Sequence, residues 1–311
     1  MSTLYFMVGL VASGKSTWAE SNKEKLNAVI HSSDAIREEF GNINDQSKNE
    51  LVFNTLHKRV KEDLMNGKNV IYDSTGLKRK NRLHLISNIL KDVPCEKVCV
   101  LFATPYEICQ KNNAARDRKV PEHVLERMIK NFETPCLQEG WDNIQIVWWD
   151  YKKDGLKIDY FNDLKHWCSV SHDSIHHTHS IGNHMLEAED YYADMDIDRD
   201  RLPILYDSIL MHDCGKVFCK AFIDSKGNPC ESAHYYQHHN VGAFLSLFYL
   251  KELDMYNDEE ILYGSLLINL HMRPFLSWKQ SDNAKENDRR LFGDDIVKNI
   301  EIIHECDLAA H

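Results

Sequence analysis

A parallel α/β domain followed by an all-α domain is the architecture this sequence predicts, and three observations predict it. A short apolar run, Leu4–Val8, leads directly into Gly9-Leu10-Val11-Ala12-Ser13-Gly14-Lys15-Ser16-Thr17, which fits the phosphate-loop pattern G-x-x-x-x-G-K-[ST] without a mismatch. From there to residue 149, short apolar runs alternate with segments of helical periodicity, as in a parallel sheet with helices on both faces. Beyond His166 the composition changes and most of the histidines of the chain appear. The polar, turn-forming stretch Asp150–Gly155 marks the join, giving domains over 1–152 and 165–311.

Composition narrows the class. A chain of 311 residues suits two domains, and 43% hydrophobic with 27% charged residues describes a globular protein with no run long enough for a membrane span. Nine scattered cysteines without a C-x-x-C pair favour reduced thiols and a cytoplasmic setting. The formal net charge of −11 disfavours non-specific polynucleotide binding, so such a substrate needs local basic clusters. Lys78-Arg79-Lys80-Asn81-Arg82 is one candidate; a solvated basic turn is the alternative.

Taken in order, the first domain opens with the phosphate loop. Its glycines allow backbone N–H groups to close around a polyphosphate, Lys15 reaches the outer phosphates, and Ser16 supplies a hydroxyl for Mg²⁺. The loop therefore predicts ATP and Mg²⁺, with Gly9, Ala12, Ser13, Gly14, Lys15, Ser16 and Thr17 as the nucleotide-binding set. Ala28–His31 reads as the second strand, with Asp34 and Arg37 just beyond its carboxyl end, where α/β sheets gather functional groups. Asp34 there is either a helix N-cap or a base for an attacking hydroxyl, and Arg37 could clamp a phosphate. Residues 45–67 carry a helical pattern, and Asn69–Tyr72 is a strand ending in Asp73, placed to orient Mg²⁺ or its water. Arg79–Leu90 reads as helix, Lys97–Phe102 as strand, and 143–149 as the closing strand. Between the last two, Arg116 and Arg118 precede a helix opened by Pro121, a natural lid over transferring phosphates.

Gly9–Thr17, Asp34-x-x-Arg37, the strand ending Asp73-Ser74-Thr75 and Asn113-x-x-Arg116-x-Arg118-x-Val120-Pro121 together resemble the 5′-hydroxyl polynucleotide kinases of end repair, over roughly residues 1–150. The resemblance implies that Asp34 is the general base for the 5′-OH and that Arg37 holds the acceptor's 3′-side phosphate. It also implies a lid arginine on the donor phosphates, best matched by Arg116, with Arg118 as the alternative because the lid is one residue shorter here.

In the second domain the central feature is His212-Asp213, at the end of an apolar helical run and followed by Gly215. Adjacent His and Asp reach one metal only where the backbone turns, and Gly215 is expected to supply that helix end. Imidazole plus carboxylate suits Mn, Fe, Co, Ni or Zn. The pattern resembles the HD phosphohydrolase superfamily, an all-helical metal fold, over roughly 165–311. That resemblance implies His184 as first ligand, with His177 and His179 competing, and Asp307 as last ligand. His238 and His271 are implied for a second ion bridged by Asp213, with His239 a neighbour or ligand, and Lys216 and Arg273 are candidates for holding phosphate.

The combination predicts an end-healing enzyme: a kinase acting on 5′-OH ends, joined to a metal-dependent hydrolase of 2′,3′-cyclic and 3′-phosphate ends. RNA is favoured over DNA, with a ligase downstream. The alternative is a nucleoside or nucleotide kinase fused to a nucleotide phosphohydrolase.

Overall fold

The computed structural model describes residues 1–41, 43, 45, 47–174, 178–195 and 203–310. The chain divides into two compact units, residues 1–128 with 135–155, and residues 129–134 with 156–311.

The first unit is built on five parallel strands: β1 (Ser2–Val8), β2 (Ala28–Ser32), β3 (Asn69–Asp73), β4 (Cys95–Ala103) and β5 (Asn143–Trp148), in the order β2-β3-β1-β4-β5. Phe6 of β1 is in register with Tyr72 of β3 and with Cys99 of β4. The innermost strands β1 and β4 are apolar on both faces, as helix-covered strands must be; Leu4, Met7, Val8, Cys99, Val100 and Leu101 are all fully buried. The helices are α1 (Lys15–Asn22), α2 (Ser33–Glu39), α3 (Asn49–Met65), α4 (Arg79–His84), α5 (Tyr106–Ala114) and α6 (Glu122–Ile129). Val52, Leu56, Val60 and Leu64 recur every four residues along α3 and line its buried face.

Two expectations shift here. The helix expected from residue 45 begins at Asn49, and the one expected over Arg79–Leu90 loosens into a π-helical turn at Leu85–Ile89. Because β1 lies between β3 and β4 while its own helix leads to β2, the chain reverses direction across the sheet at the end of β1. That is where open α/β sheets form a crevice beyond their carboxyl edges.

The second unit is helical: α7 (Tyr160–Trp167), α8 (Ile181–Asp194), α9 (Pro203–Met211), α10 (Lys216–Cys219), α11 (His238–Glu252), α12 (Asp258–Leu270), α13 (Asp282–Phe292) and α14 (Asp294–Ala309). The all-α expectation needs one correction. An antiparallel ribbon, β6 (Ala221–Ile223) with β7 (Pro229–His234), stands between α10 and α11. Its strands are three and six residues long and partly exposed, too short for a strand pattern to stand out in the sequence. The core helices α11 and α12 are apolar nearly all round; Val241, Phe244, Leu247, Ile261, Leu267 and Ile268 are fully buried. α12 starts with a capping box, the Asn257 side chain accepting from the Glu260 N–H while the Glu260 carboxylate accepts from the Asn257 N–H.

Candidate functional sites

The phosphate loop follows β1 as its sequence requires. Ala12 (φ 60°) and Gly14 (φ 91°) are both left-handed and curl the loop into an anion-sized concavity at the start of α1. At Gly9 a Cβ would lie 2.8 Å from Ser13 Oγ and 3.0 Å from Phe102 Cβ, so the loop closes against β4 only without a side chain there. Two further bonds hold it: Thr104 Oγ1 donates to the Ser13 carbonyl at 3.0 Å, and Asn112 Nδ2 to the Ala12 carbonyl at 3.2 Å. Lys15 is buried, its Nζ donating to the Gly9 and Leu10 carbonyls at 3.0 and 2.5 Å. Burial lowers its pKa to about 8, against the opposing pull of Asp73.

Ser16 Oγ donates to Asp73 Oδ2 at 3.1 Å, so the phosphate-loop hydroxyl and the acid ending β3 face each other, the pairing a Mg²⁺ site needs. Burial raises the Asp73 carboxyl, with Lys15 holding it down. These groups line one cleft of about 1120 Å³, together with Thr17, Asp34, Arg37, Arg116, Arg118 and Trp149. Asp34 is not the helix cap. Ser32 caps α2, its Oγ accepting from the Asp34 and Ala35 N–H groups, which leaves the Asp34 carboxylate to face the cleft.

Arg37 Nη1 donates to Asp34 Oδ1 at 2.9 Å and Nη2 to Asn49 Oδ1 at 2.7 Å. The Arg37 side chain is buried and its Nε has no hydrogen-bond partner. The lid is pinned by Asn113, which donates to the Val120 carbonyl at 2.7 Å and accepts from the Val120 N–H at 2.9 Å. Its two arginines diverge: Arg116 is exposed and acts electrostatically on Lys15, whereas Arg118 Nη1 reaches Asp34 Oδ2 at 3.1 Å. Asn49, Asn112 and Trp149 are cleft residues that sequence reasoning did not single out, because none sits in a recognisable spacing.

The basic cluster near residue 80 is only in part a solvated turn, because two of its four basic residues are buried. Arg82 and Arg79 are buried against Glu139, at 2.6 and 3.2 Å, and the Trp141 indole also donates to Glu139 at 3.0 Å. Only Lys78 and Lys80 of the basic residues remain exposed beside them.

In the second unit five elements deliver six side chains to one point: His184 from α8, His212 and Asp213 from the turn after α9, His238 from the start of α11, His271 from the end of α12, and Asp307 from α14. His184, His212, Asp213 and Asp307 form one group and Asp213, His238 and His271 a second, sharing Asp213. His179 stands outside, paired with Glu187 at 3.2 Å, and His239 packs beside His238 and His271. His177, like His176 and His311, lies outside the described residues.

The tautomers of the four histidines are set by their outer nitrogens. Nδ1 of His184, His212, His238 and His271 lies 2.9, 2.7, 2.9 and 2.7 Å from the carbonyls of Ala310, Ile209, Tyr235 and Ile268. A carbonyl only accepts, so each Nδ1 carries a proton, and in the neutral ring each Nε2 presents a lone pair inward. Yet Nε2 of His184 and His212 are 3.2 Å apart, as are those of His238 and His271, and the Asp213 carboxylate lies among them, its Oδ2 2.6 Å from Lys216 Nζ and its Oδ1 3.2 Å from His238 Nε2. Such a set demands positive charge at its centre. Burial works against a proton on His212, but Asp213 and Asp307 prevail and push it up to about 10; burial and His238 hold His271 well below its ordinary value. Divalent ions of the Mn, Fe, Co, Ni or Zn type satisfy the same demand, and the nitrogen and carboxylate donors fit them.

Lys216 Nζ lies 2.6 Å from Asp213 Oδ2 and 3.3 Å from Nε2 of His172, a buried histidine that the sequence pattern did not flag. Arg273 Nη2 is paired with Asp288 at 2.6 Å. Gly215 does not end a helix by left-handed geometry, as expected, since its φ is −78°. It is required by proximity instead: a Cβ there would fall 2.1 Å from the His238 carbonyl oxygen.

Comparison with known proteins bears on the first unit. The AAA-domain family model matches residues 4–135. L-seryl-tRNA(Sec) kinase of Methanococcus maripaludis is 30% identical over 144 residues, 45% of this chain and 56% of that protein, so the chain spans little more than half of that relative's length. A Chloroflexus aurantiacus protein provisionally assigned as a kinase aligns with 53% of this chain and 96% of its own, at 16% identity and a TM-score of 0.41. Shikimate kinase of Acinetobacter baumannii aligns with 50% of this chain and 88% of its own, at 22% identity and a TM-score of 0.32. The matched region is a P-loop domain with kinase relatives, and ATP with Mg²⁺ is the cofactor pair it implies. Among the described residues, no helix is long and apolar enough to cross a membrane.

Proposed function

We propose that this chain heals broken nucleic-acid ends, phosphorylating 5′-OH termini in its first unit and hydrolysing 2′,3′-cyclic and 3′-phosphate termini in its second. The observation that carries the first half is Asp34 beside Arg37 in the same cleft as Lys15 and the Ser16–Asp73 pair. Asp34 accepts the proton of the attacking 5′-hydroxyl, Arg37 holds the acceptor's phosphate, Lys15 neutralises the donor phosphates, and Ser16 with Asp73 orients Mg²⁺. Arg116, exposed at the lid, closes on the transferring phosphoryl group.

For the second half, His184, His212, Asp213 and Asp307 would hold one divalent transition ion and Asp213, His238 and His271 another. Ions of this class lower the pKa of a bound water and neutralise phosphate oxygens. The chain's own part is to fix four imidazole tautomers through backbone carbonyls, and to bring the Lys216 ammonium close enough to share a substrate phosphate. RNA is the preferred substrate because nuclease-cut RNA carries the cyclic end, and a ligase is the expected consumer of the product. Nine free cysteines accord with a cytoplasmic setting.

The test is label transfer from γ-labelled ATP to a 5′-OH oligonucleotide, alongside phosphate release from a 2′,3′-cyclic end. Asp34→Ala should abolish only the first and Asp213→Ala only the second; loss of both in either folded variant sinks the division. The net charge of −11 favours a second reading, a kinase of nucleosides or nucleotides. Seryl-tRNA, named in the relative, is a further hydroxyl acceptor to include in the assay.

A further inference from the structure

We infer that His172 is a positioning residue of the second unit, holding the Lys216 ammonium in the direction from which it meets a substrate phosphate; the inference rests on the hydrolase reading above and adds a residue to it. His172 belongs to neither ligand group, yet it is buried beside them, its ring edge-on to that of His184 with centroids 5.6 Å apart. Three contacts fix its place. Its Nδ1 lies 2.7 Å from the His179 carbonyl, and its own carbonyl accepts from the Tyr235 hydroxyl. Its ring also meets that of Tyr235 edge to face, at 5.9 Å.

The His179 carbonyl only accepts, so His172 Nδ1 carries a proton. Nε2, 3.3 Å from Lys216 Nζ, is therefore the acceptor of an ammonium N–H, since a second ring proton would point at that cation. Lys216 is itself buried, with Nζ 2.6 Å from Asp213 Oδ2 and 5.6 Å from the centre of the Tyr235 ring. An ammonium group has three N–H bonds in fixed tetrahedral directions, so bonds to Asp213 and His172 set the direction of the third. Asp213 alone would not do this. It belongs to both ligand groups, so metal ions compete for its oxygens, whereas the His172 contact competes with no metal ligand. A neutral imidazole thus keeps the cation beside the ligand cluster, where a phosphate ester would meet it.

The experiment separates the acceptor from the ring. His172→Phe keeps a ring and its edge contacts but removes the acceptor, whereas His172→Gln keeps an acceptor and removes the ring. Phosphate release from a 2′,3′-cyclic end should fall roughly 10–100-fold in kcat for His172→Phe and largely recover in His172→Gln. Metal content by elemental analysis should stay at the wild-type level in both. The double variant His172→Phe with Lys216→Ala should be no slower than Lys216→Ala alone, because the imidazole acts through the ammonium. A packing role gives the reverse order, with His172→Gln the worse, and losses that multiply in the double variant. Either result, or lowered metal content in His172→Phe, overturns the inference. Calorimetric titration with inorganic phosphate distinguishes it from the hydrolase reading. Weaker phosphate binding in His172→Phe, with no further weakening in the double variant, retains the inference even where no ester is cleaved and the hydrolase reading falls. Unchanged phosphate binding and turnover in His172→Phe overturns the inference and leaves the hydrolase reading standing.

Discussion

His184 Nε2 and His212 Nε2 face each other at 3.2 Å, with the Nδ1 of each ring committed to a backbone carbonyl. Two lone pairs held that close are repulsive unless a proton or a metal ion lies between them, and a divalent ion also answers the two carboxylates, so metal content is the property to measure. The protein purified from cells should carry a divalent transition metal detectable by elemental analysis. Asp213→Asn, which weakens both ligand groups at once, should lower that content by well over half. A chelator should lower the melting temperature of the wild type more than that of Asp213→Asn, since only the folded chain assembles this ligand set. Equal metal content in the two proteins would contradict the assignment.

Gly215 gives a second route to the same cluster. A methyl group there meets the His238 carbonyl at 2.1 Å and the Gly242 nitrogen at 2.5 Å, both backbone atoms that yield only if α11 shifts. Gly215→Ala should therefore displace His238 from Asp213 and reduce bound metal, while ATP-dependent phosphorylation in the first unit persists. Elemental analysis and the end-labelling assay read the two outcomes separately.

Lys15 predicts a proton linkage. Its pKa in the folded chain is about 8 against 10.5 in the unfolded one. Below pH 8 both states hold the proton and the cost of burying the charge is constant. Between 8 and 10.5 the unfolded state binds more protons, so stability rises with pH across that window and levels off above it. Denaturation of Lys15→Met should lack this rise, which amounts to about 3 kcal/mol at most. ATP phosphates restore the charge, so at about pH 9 nucleotide binding should take up close to one proton, visible by calorimetry in buffers of different ionisation enthalpy. Proton uptake that persists in Lys15→Met would exclude Lys15 as its source.

Glu139 should matter more to stability than either arginine it binds. Glu139→Gln leaves Arg79 and Arg82 buried without their carboxylate and should cost about 3–5 kcal/mol in urea denaturation, whereas Arg79→Met keeps the closer Arg82–Glu139 pair and should cost less.

Local pattern decided the phosphate loop, the alternation of strands and helices to residue 149, and the His212-Asp213 pair, whereas His184, His238, His271 and Asp307 are reached only through the resemblance to a known metal fold. The former are legible because they rest on short spacings: a loop of nine residues, a period of two or 3.6, a dipeptide. What only the tertiary structure decided is which groups lie opposite one another. Asp34 is released from capping because Ser32 takes that role, and the lid arginines part because Asn113 pins the loop that carries them. Arg79 and Arg82 turn inward because Glu139, 57 residues beyond Arg82, lies buried where they meet. Such pairings depend on distances set by packing across the fold, where burial magnifies the energy of every charge, and no linear spacing in the chain encodes them.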